Sequence, residues 1–163
     1  MANSNSGRQP FLGLISDTHS LVRSEALEAL AGAELILHAG DIGSPLVLDQ
    51  LGELAPVACI RGNVDVDRWA RDLPVRREVE WRGLRLLIVH NRDELSTSPP
   101  EVGTDVVIYG HSHRPSVDQL DQRLYVNPGS AGPRRFNLPV SVARLELHQG
   151  LPIAEIFELS IPS

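Results

Sequence analysis

Residues that bind metal ions well follow five separate apolar runs of this 163-residue chain. Each run is short enough to be a strand, and the polar residues come within a few positions of its end. In open α/β folds, ligands bind in the crevice outside the carboxyl ends of the strands. We therefore expect the side chains after the five runs to converge on one site: Asp17, His19, Asp41, Asn63, His90, His111 and His113.

These side chains suit two metal ions better than one. A structural zinc site takes four ligands and commonly uses thiolates, whereas this chain has a single cysteine. Oxygen and imidazole ligands in this number, with one carboxylate shared, fit two ions about 3.5–4 Å apart. On an extended backbone, residues i and i+2 face the same side, so Asp17 should face the site together with His19, and His111 together with His113. Asp41 follows the second run and is the expected shared ligand.

The charge of such a centre favours a phosphodiester as substrate. Two divalent ions with the carboxylates of Asp17 and Asp41 leave a charge of about +2, which a bridging hydroxide reduces to about +1. A phosphodiester monoanion then makes the centre neutral. A centre of this kind generates hydroxide at neutral pH and stabilises the attacking and leaving oxygens of an in-line displacement. We expect hydrolysis of small phosphodiesters without a protein nucleophile, since no serine lies in a G-x-S-x-G setting.

The composition excludes several other classes of function. The net charge is −6, and the chain has 15 arginines but no lysine, which excludes a P-loop lysine and a Schiff base. The acidic balance argues against nucleic acid as a partner. No apolar run is long enough to span a membrane, and the first residues contain no secretory signal. The single cysteine, Cys59, lies in an apolar run, and we expect a cytoplasmic protein.

The first half of the chain predicts strands that alternate with helices. The predicted strands are Phe11–Ile15, Leu35–Leu37 and Val57–Ile60, and the predicted helices cover Arg23–Leu30 and the segment from Ser44 to about Leu54. Ser44 suits the N-cap of the second helix, and Pro45 suits its first turn. This βαβαβ order predicts parallel strands joined by right-handed crossovers.

The second half predicts mostly strands. They cover Val75–Trp81, Leu84–Val89, Val106–Tyr109, Ser116–Leu120, Leu124–Asn127, Val140–Leu147 and Pro152–Leu159. Arg82 and Gly83 suit a tight hairpin turn between the first two. Residues 91–103 form either a loop or a short, irregular helix. We expect two packed sheets with helices outside, in one domain over residues 11–163 that follows a disordered tail over residues 1–10.

The motifs together resemble those of the calcineurin-like metallophosphoesterase superfamily. They are D-x-H at 17–19, G-D at 40–41, G-N-x-D at 62–65, His90 and G-H-x-H at 110–113. The short length and the N-P-G-S at 127–130 resemble its small bacterial and archaeal phosphodiesterase branch. The resemblance covers roughly residues 11–159. It implies an α/β fold, a four-layer αββα sandwich of two mixed sheets flanked by helices. It also implies two divalent metal ions, most often Mn²⁺, with Ni²⁺, Fe²⁺, Zn²⁺ or Mg²⁺ as alternatives.

The resemblance also implies how the ligands divide between the ions. One ion takes Asp17, His19, Asp41 and His113, and the other takes Asp41, Asn63, His90 and His111. Asn63, Asp65 and His90 are the candidate catalytic residues. Asp65 either caps a turn or orients a histidine ligand or Asn63.

Two positions depart from the family pattern. Val64 stands where the protein-phosphatase branch has a histidine, and an apolar side chain cannot protonate a leaving group. Asn91 follows His90 where relatives often have glycine; asparagine tolerates the left-handed region, so the turn is expected to persist. Arg92 is then a candidate to face the substrate.

Two other functions stay open. A phosphomonoesterase or nucleotidase of the same superfamily would need extra cations for a dianion, which Arg92, Arg134 or Arg135 could supply. A non-catalytic scaffold that kept the fold, as the retromer subunit did, predicts missing ligands, whereas all seven are present here. The expected partner is a small-molecule phosphoester, with self-association as an open alternative.

Overall fold

Ten strands form two mixed five-stranded sheets in this computed structural model, which describes residues 9–162. The strands are β1 (Phe11–Ile15), β2 (Leu35–His38), β3 (Val57–Cys59), β4 (Arg76–Trp81), β5 (Leu84–Val89), β6 (Val106–Ile108), β7 (Ser116–Leu120), β8 (Arg123–Asn127), β9 (Ser141–His148) and β10 (Leu151–Glu158). The α-helices are α1 (Ser24–Leu30) and α2 (Pro45–Gly52), with 3₁₀ turns at Arg68–Ala70 and Arg92–Ser96. Residues 1–8 of the predicted tail lie outside the described residues.

The first sheet has the strand order β10-β9-β1-β2-β3. Strands β1, β2 and β3 run parallel, as the predicted βαβαβ order requires. Strand β9 pairs antiparallel with β1, and β10 pairs antiparallel with β9. Helix α2 begins where the sequence predicts, because the Ser44 side chain accepts a hydrogen bond from the Leu46 N–H and Pro45 occupies the first turn.

The second sheet has the strand order β4-β5-β6-β8-β7. Strands β5, β6 and β8 run parallel, and β4 and β7 flank them antiparallel. The predicted hairpin is confirmed, because Trp81 pairs with Leu84 around Arg82 at φ +49° and Gly83 at φ +84°. Two consecutive residues at positive φ are typical of the turn that matches the twist of hairpin strands.

Alternate residues of β1 face opposite layers of the molecule. Leu12 and Leu14 pack between the two sheets with residues such as Leu86 and Ile108, and Ile15 packs on the other face with the helices. Gly13 also faces the helices, where a Cβ would meet Leu30 of α1 at 2.9 Å. This alternation gives the first sheet a buried face on each side.

A thinner layer covers the outer face of the second sheet. Leu87, Val107, Tyr109 and Tyr125 cluster there, with Leu95 of the 3₁₀ turn packed against them. The segment 91–103 is thus a short 3₁₀ helix followed by a loop. The four-layer sandwich of two mixed sheets is confirmed. Within residues 9–162 the longest helix has eight residues, and none can cross a membrane.

The buried His38 connects the loops that follow β1 and β2. Its Nδ1 accepts a hydrogen bond from the Gly40 N–H at 3.1 Å, so the ring proton lies on Nε2, which is 3.0 Å from Thr18 Oγ1. The Thr18 hydroxyl in turn donates to the Ile42 carbonyl at 2.8 Å. Complete burial lowers the pKa of His38 to about 3. A neutral histidine therefore fixes the two loops relative to each other.

We predict that His38 stabilises the fold above pH 6.5 and that this contribution decreases as the pH falls towards 3. The unfolded chain binds a proton at His38 below its ordinary pKa, whereas the folded chain does not. Urea unfolding in EDTA should show that the stability difference between wild type and His38→Gln shrinks by about 1.4 kcal/mol per pH unit below pH 6.5. A difference that stays constant from pH 7 to pH 5 would contradict a buried neutral His38.

Candidate metal centre

The carboxyl ends of the parallel strands of both sheets lie at one edge of the sandwich. In the first sheet, the loop after β1 binds the loop after β2 through the Asp17 N–H and the Gly40 carbonyl, at 3.0 Å. In the second sheet, the Gly110 N–H after β6 donates to the His90 carbonyl after β5, at 2.9 Å. A hydrogen bond from the His111 N–H to Asp17 Oδ2, at 3.1 Å, joins the two sheets. All the predicted ligands lie on these loops or on the one after β3.

Most of the predicted ligands lie on tight turns and not on extended backbone. Five of the seven have a positive φ: Asp17 at +55°, His19 at +45°, Asp41 at +55°, His111 at +73° and His113 at +63°. The expectation that i and i+2 face one side because the strand continues was therefore wrong, since β1 ends at Ile15 and β6 at Ile108. Such left-handed residues cost of order 1–3 kcal/mol each and cluster at functional sites. The turns bring the side chains together by another route.

Asp17 lies at the centre of the cluster and is completely buried. Its Oδ2 accepts hydrogen bonds from the Ser16 hydroxyl at 2.7 Å and from the His111 N–H. Its Oδ1 has no hydrogen-bond partner but lies 3.4 Å from His113 Nε2 and 3.9 Å from His19 Nε2. One oxygen is thus used by the fold, and the other is available to a ligand.

Asp41 divides its two oxygens in the same way. Oδ1 accepts a hydrogen bond from the Val64 N–H at 3.1 Å. Oδ2 lies 3.2 Å from His90 Nε2 and 3.7 Å from His19 Nε2. Asp41 therefore contacts one histidine from each set of ligands that the family resemblance assigns to an ion.

Two groups of potential ligands have donor atoms close enough to hold an ion. Asp17 forms one group with His19 and His113, and a second group with Asp41 and His90. The carboxylate common to both groups is Asp17, whereas the sequence predicted Asp41 as the shared ligand. Since Asp41 Oδ2 also lies between His19 and His90, bridging by Asp41 stays a prediction.

Unpaired buried atoms indicate that the cluster fits a cation. Within residues 9–162, four buried side-chain atoms lack any hydrogen-bond partner: Asp17 Oδ1, His19 Nε2, His90 Nε2 and His113 Nδ1. All four belong to predicted ligands. His90 Nε2 is close to Asp41 Oδ2 without being aligned for a hydrogen bond. Buried polar groups are nearly always paired, so these atoms are arranged for a partner that is not a protein hydrogen bond.

Asn63 and His111 complete the cluster on its exposed side. Both side chains are exposed, and Asn63 Nδ2 lies 3.4 Å from His111 Nδ1. The His111 ring lies edge-on to His90, with centroids 5.3 Å apart. The structure thus brings all seven predicted ligands together, with five of them buried or partly buried and two, Asn63 and His111, exposed.

The pKa values of the buried carboxylates and of His90 reflect the close approach of unlike charges. Burial raises the pKa of Asp17, although the Ser16 hydroxyl and nearby histidines oppose the increase. Burial would also raise the pKa of Asp41, but the adjacent His90 and the Val64 N–H lower it to about 2. Burial would lower the pKa of His90, but Asp41, the Ala39 carbonyl and Asp17 raise it to about 9. Without a metal, a proton on His90 therefore balances the charge of Asp41.

His113 shifts in the opposite direction from His90. Burial lowers the pKa of His113, and the Asp17 carboxylate opposes this decrease, while the positive charge of Arg135 adds to it. His90 is held differently, since its Nδ1 lies 2.7 Å from the Ala39 carbonyl. A carbonyl on one ring nitrogen fixes a metal-binding histidine with its other nitrogen facing the ion.

Two glycines allow the loops to approach the carboxylates closely. A Cβ at Gly62 would collide with the Asp41 carboxylate, and a Cβ at Gly110 would collide with the Ser16 hydroxyl and with Asp17 Oδ2. These glycines belong to the G-N and G-H motifs. Their function in this structure is to leave space for the carboxylates of other loops.

Asp65 connects the loops after β2 and β3. Its buried carboxylate accepts three backbone hydrogen bonds, from the N–H groups of Ile42 at 3.0 Å, Gly43 at 2.9 Å and Gly62 at 2.8 Å. The turn-capping role is confirmed, because Asp65 accepts from the Gly62 N–H of its own turn. It also holds the loop that carries Asp41, whereas orientation of a histidine ligand or of Asn63 stays a prediction. Its place among the catalytic residues stays a prediction.

The N-P-G-S segment supports the cluster from the end of β8. The Asn127 amide donates to the Gly110 carbonyl and to Ser112 Oγ, each at 3.1 Å. The Ser130 hydroxyl donates to the Asp17 carbonyl at 3.0 Å. The family resemblance of this segment implies a role in shaping the pocket, and these contacts with the ligand loops support that role. Ser16, which binds Asp17, was missed because a serine at a strand end carries no distinctive signal.

The cationic residues predicted near the substrate lie elsewhere or are exposed. Arg92 donates to Tyr109 Oη and to Asp118, and its guanidinium stacks 4.4 Å from the Tyr125 ring. It is therefore engaged on the outer face of the second sheet. Asn91 has φ −116° and caps the 3₁₀ turn through the Asp93 N–H, so the expected left-handed turn was wrong. Arg134 and Arg135 are exposed.

Comparison with known proteins gives a match to a family model over most of the chain. The model described as the calcineurin-like phosphoesterase superfamily domain matches residues 11–150. A probable metallophosphoesterase of Methanothermobacter thermautotrophicus is 36% identical over 148 residues, which cover 83% of this chain and 86% of the relative. A phosphodiesterase of Methanocaldococcus jannaschii is 29% identical over 136 residues, covering 72% of this chain and 82% of that protein.

A solved structure shares the fold. The structure of a novel archaeal phosphodiesterase superposes with a TM-score of 0.74 at 25% identity, covering 90% of this chain and 99% of that chain. Its similarity extends over both sheets, and the family match includes all seven predicted ligands.

We predict that Asp65→Asn destabilises the protein by about 2–3 kcal/mol, because an amide oxygen replaces a charged acceptor and an NH₂ group then faces a backbone N–H. Urea unfolding in EDTA measures this loss without a contribution from metal. Asp67→Asn is the matched control, since Asp67 is exposed and makes no capping hydrogen bond, and it should change stability by at most about 0.5 kcal/mol. Equal stability of the two variants would show that the three hydrogen bonds do not hold the loops.

Proposed function

Because the chain belongs to the calcineurin-like phosphoesterase superfamily, we propose that it is a metal-dependent phosphodiesterase acting on small phosphodiesters. The observation that carries the proposal is the set of four unpaired buried atoms on Asp17, His19, His90 and His113. Relatives named as phosphodiesterases support the choice of reaction. A scaffold has no need to keep unpaired polar atoms buried, since each costs free energy.

The proposal includes two divalent ions, with Mn²⁺ as the first choice and Ni²⁺, Fe²⁺, Zn²⁺ or Mg²⁺ as alternatives. Asp17, His19, Asp41 and His113 would hold one ion, and Asp41, Asn63, His90 and His111 the other. Oxygen and imidazole donors of this kind suit these metals. Bound ions would activate water for in-line attack and neutralise charge on the phosphoester.

The protein residues would orient the reactants and hold the charges in place. The Ser16 hydroxyl and the His111 N–H keep Asp17 Oδ2 fixed, and the Val64 N–H keeps Asp41 Oδ1 fixed. The remaining carboxylate oxygens then face the ligand without rearrangement. Such preorganisation costs nothing at the moment of reaction.

The charge around the centre supports a diester over a monoester as the substrate. A phosphomonoester dianion needs additional cations, and Arg92 is engaged with Tyr109 and Asp118 away from the cluster. Arg134 and Arg135 remain as exposed candidates. The proposal further places the enzyme in the cytoplasm with a small-molecule substrate and no nucleic-acid partner or membrane.

We predict Mn²⁺-dependent hydrolysis of bis(4-nitrophenyl) phosphate, and a decrease in kcat/KM of at least about 100-fold in Asp41→Asn and in His113→Ala, because each loses a ligand worth several kcal/mol. Absorbance of released 4-nitrophenolate measures the rate, and elemental analysis should give two ions per chain in the wild type. Asp72→Asn, at an exposed position, is the control and should keep full activity. Absence of turnover by the wild type with every divalent metal would refute the proposal.

We also predict a steep dependence of the rate on the leaving group. Val64 is 46% exposed beside Asn63 and cannot donate a proton, so phenols of high pKa should leave slowly. In a series of aryl methyl phosphodiesters, Val64→His should raise kcat/KM for the poorest leaving group by at least about tenfold, since general acids contribute about 10²–10⁴-fold. Val64→Leu is the control. Equal and shallow slopes for all three proteins would show that another group protonates the leaving oxygen.

A further inference from the structure

A cleft of about 290 Å³ opens beside Asn63 and His90. Its other walls include Arg61, Val66, Val75 and Glu94. Pockets for whole drug-sized ligands measure about 300–1,000 Å³, so this cleft is large enough for one substituent of a ligand. Two predicted metal ligands form one of its walls, and a group in the cleft would therefore lie next to the proposed reaction centre.

The backbone of Arg61 is held by a hydrogen bond, whereas its guanidinium makes none with the described part of the chain. Its N–H donates to the Pro74 carbonyl at 2.9 Å, which holds the residue at the end of β3. Among residues 9–162, five other arginines are partly buried, and each of them donates side-chain hydrogen bonds: Arg23, Arg76, Arg92, Arg123 and Arg144. Arg61 is equally partly buried but has no side-chain hydrogen bond or ion pair within that range. Its guanidinium is therefore free to donate to an anionic ligand.

Two valines that line the same cleft are suited to an uncharged group. Val66 is 81% exposed and Val75 is 54% exposed, and both line the cleft. An apolar group of a ligand that packs on these two side chains is removed from water, which is favourable. The carboxylate of Glu94 would repel a second phosphate placed in the cleft. The lining therefore favours an uncharged, apolar substituent attached to a phosphate.

We propose that this cleft is the subsite for one ester substituent of the phosphodiester, with Arg61 donating to a non-bridging phosphate oxygen and Val66 and Val75 packing on the substituent. The proposal rests on the proposed phosphodiesterase function and deepens it. It assigns a substrate class, phosphodiesters in which at least one ester group is uncharged and apolar. Arg61 is a substrate-binding residue in this assignment.

The kinetic test compares Arg61→Met with the wild type on bis(4-nitrophenyl) phosphate. Arg61→Met keeps most of the apolar stem and removes the donors, so KM should rise at least about tenfold, the factor that about 1.4 kcal/mol produces. The kcat value should change much less, because the contact is present in both the ground state and the transition state. Arg68→Met is the matched control, since Arg68 is an exposed arginine outside the cleft, and it should keep the wild-type KM.

A second pair of variants tests the apolar wall. Val75→Ala should reduce the preference for bis(4-nitrophenyl) phosphate over methyl 4-nitrophenyl phosphate by roughly threefold or more, since about two methyl groups of contact are lost. Val102→Ala, at an exposed valine outside the cleft, should leave the preference unchanged. A preference that Val75→Ala does not alter would overturn the placement of the ring in the cleft.

Binding of diphenyl phosphate separates this proposal from the proposed function. Calorimetry on the metal-free and Mn²⁺-loaded protein should show weaker binding to Arg61→Met than to wild type in both forms, and Arg61→Lys should lie between them because it keeps the charge but not the fork of donors. Turnover by the wild type with equal KM and equal affinity in Arg61→Met would overturn the subsite and leave the phosphodiesterase intact. Binding that depends on Arg61 without turnover would support the subsite and refute the activity. Absence of both turnover and binding in the wild type would refute both proposals. Should Arg61→Met fail to fold, KM and affinity are measured on Arg61→Lys in its place.

Discussion

The structure is organised around two buried carboxylates that converge on the same two imidazoles. Asp17 Oδ1 lies 4.0 Å from His90 Nε2 and 3.9 Å from His19 Nε2, and Asp41 Oδ2 lies 3.2 Å and 3.7 Å from the same atoms. Like charges in a desolvated site repel each other unless cations compensate them. In the metal-free protein the proton on His90 provides part of this compensation, and divalent ions would provide more. The loops around the site can be understood from this requirement.

Each carboxylate is positioned by a group from another loop. The backbone amides of His111 and Val64 hold the oxygens that face away from the centre, and Gly62 and Gly110 leave the space for this approach. Asp65 in turn ties the Asp41 loop to the Gly62 loop through three amides. The left-handed turns at five predicted ligands add strain, which the surrounding hydrogen bonds must offset. Preorganisation of the site therefore reduces stability in the absence of a ligand.

The sequence predicts the general architecture well because its signals are local. The apolar runs, the serine–proline start of α2 and the Arg82–Gly83 turn each determine short segments, and the ligand residues follow the runs in order. The conformation of the ligand loops was not predictable in this way. Asp17 and His19 were expected on extended backbone, yet both are left-handed, because hydrogen bonds from β2 and β6 loops distant in sequence determine their turns. Arg61 was missed for a related reason, since its importance depends on the partners that it lacks.

The division of the ligands between two sheets has a consequence for stability. Asp17, His19 and Asp41 follow strands of the first sheet, whereas His90, His111 and His113 follow strands of the second. At this edge, polar side chains replace the apolar contacts that join the sheets elsewhere. Four of their buried atoms are unpaired, and each unpaired atom costs free energy that packing in the rest of the sandwich must offset. A cation bound here contacts both sheets at once, and any ligand that binds only the folded state stabilises it. Without a metal, the same residues thus weaken this edge of the sandwich, which is the stability cost expected of a functional site. A bound metal would instead join the two sheets at this edge.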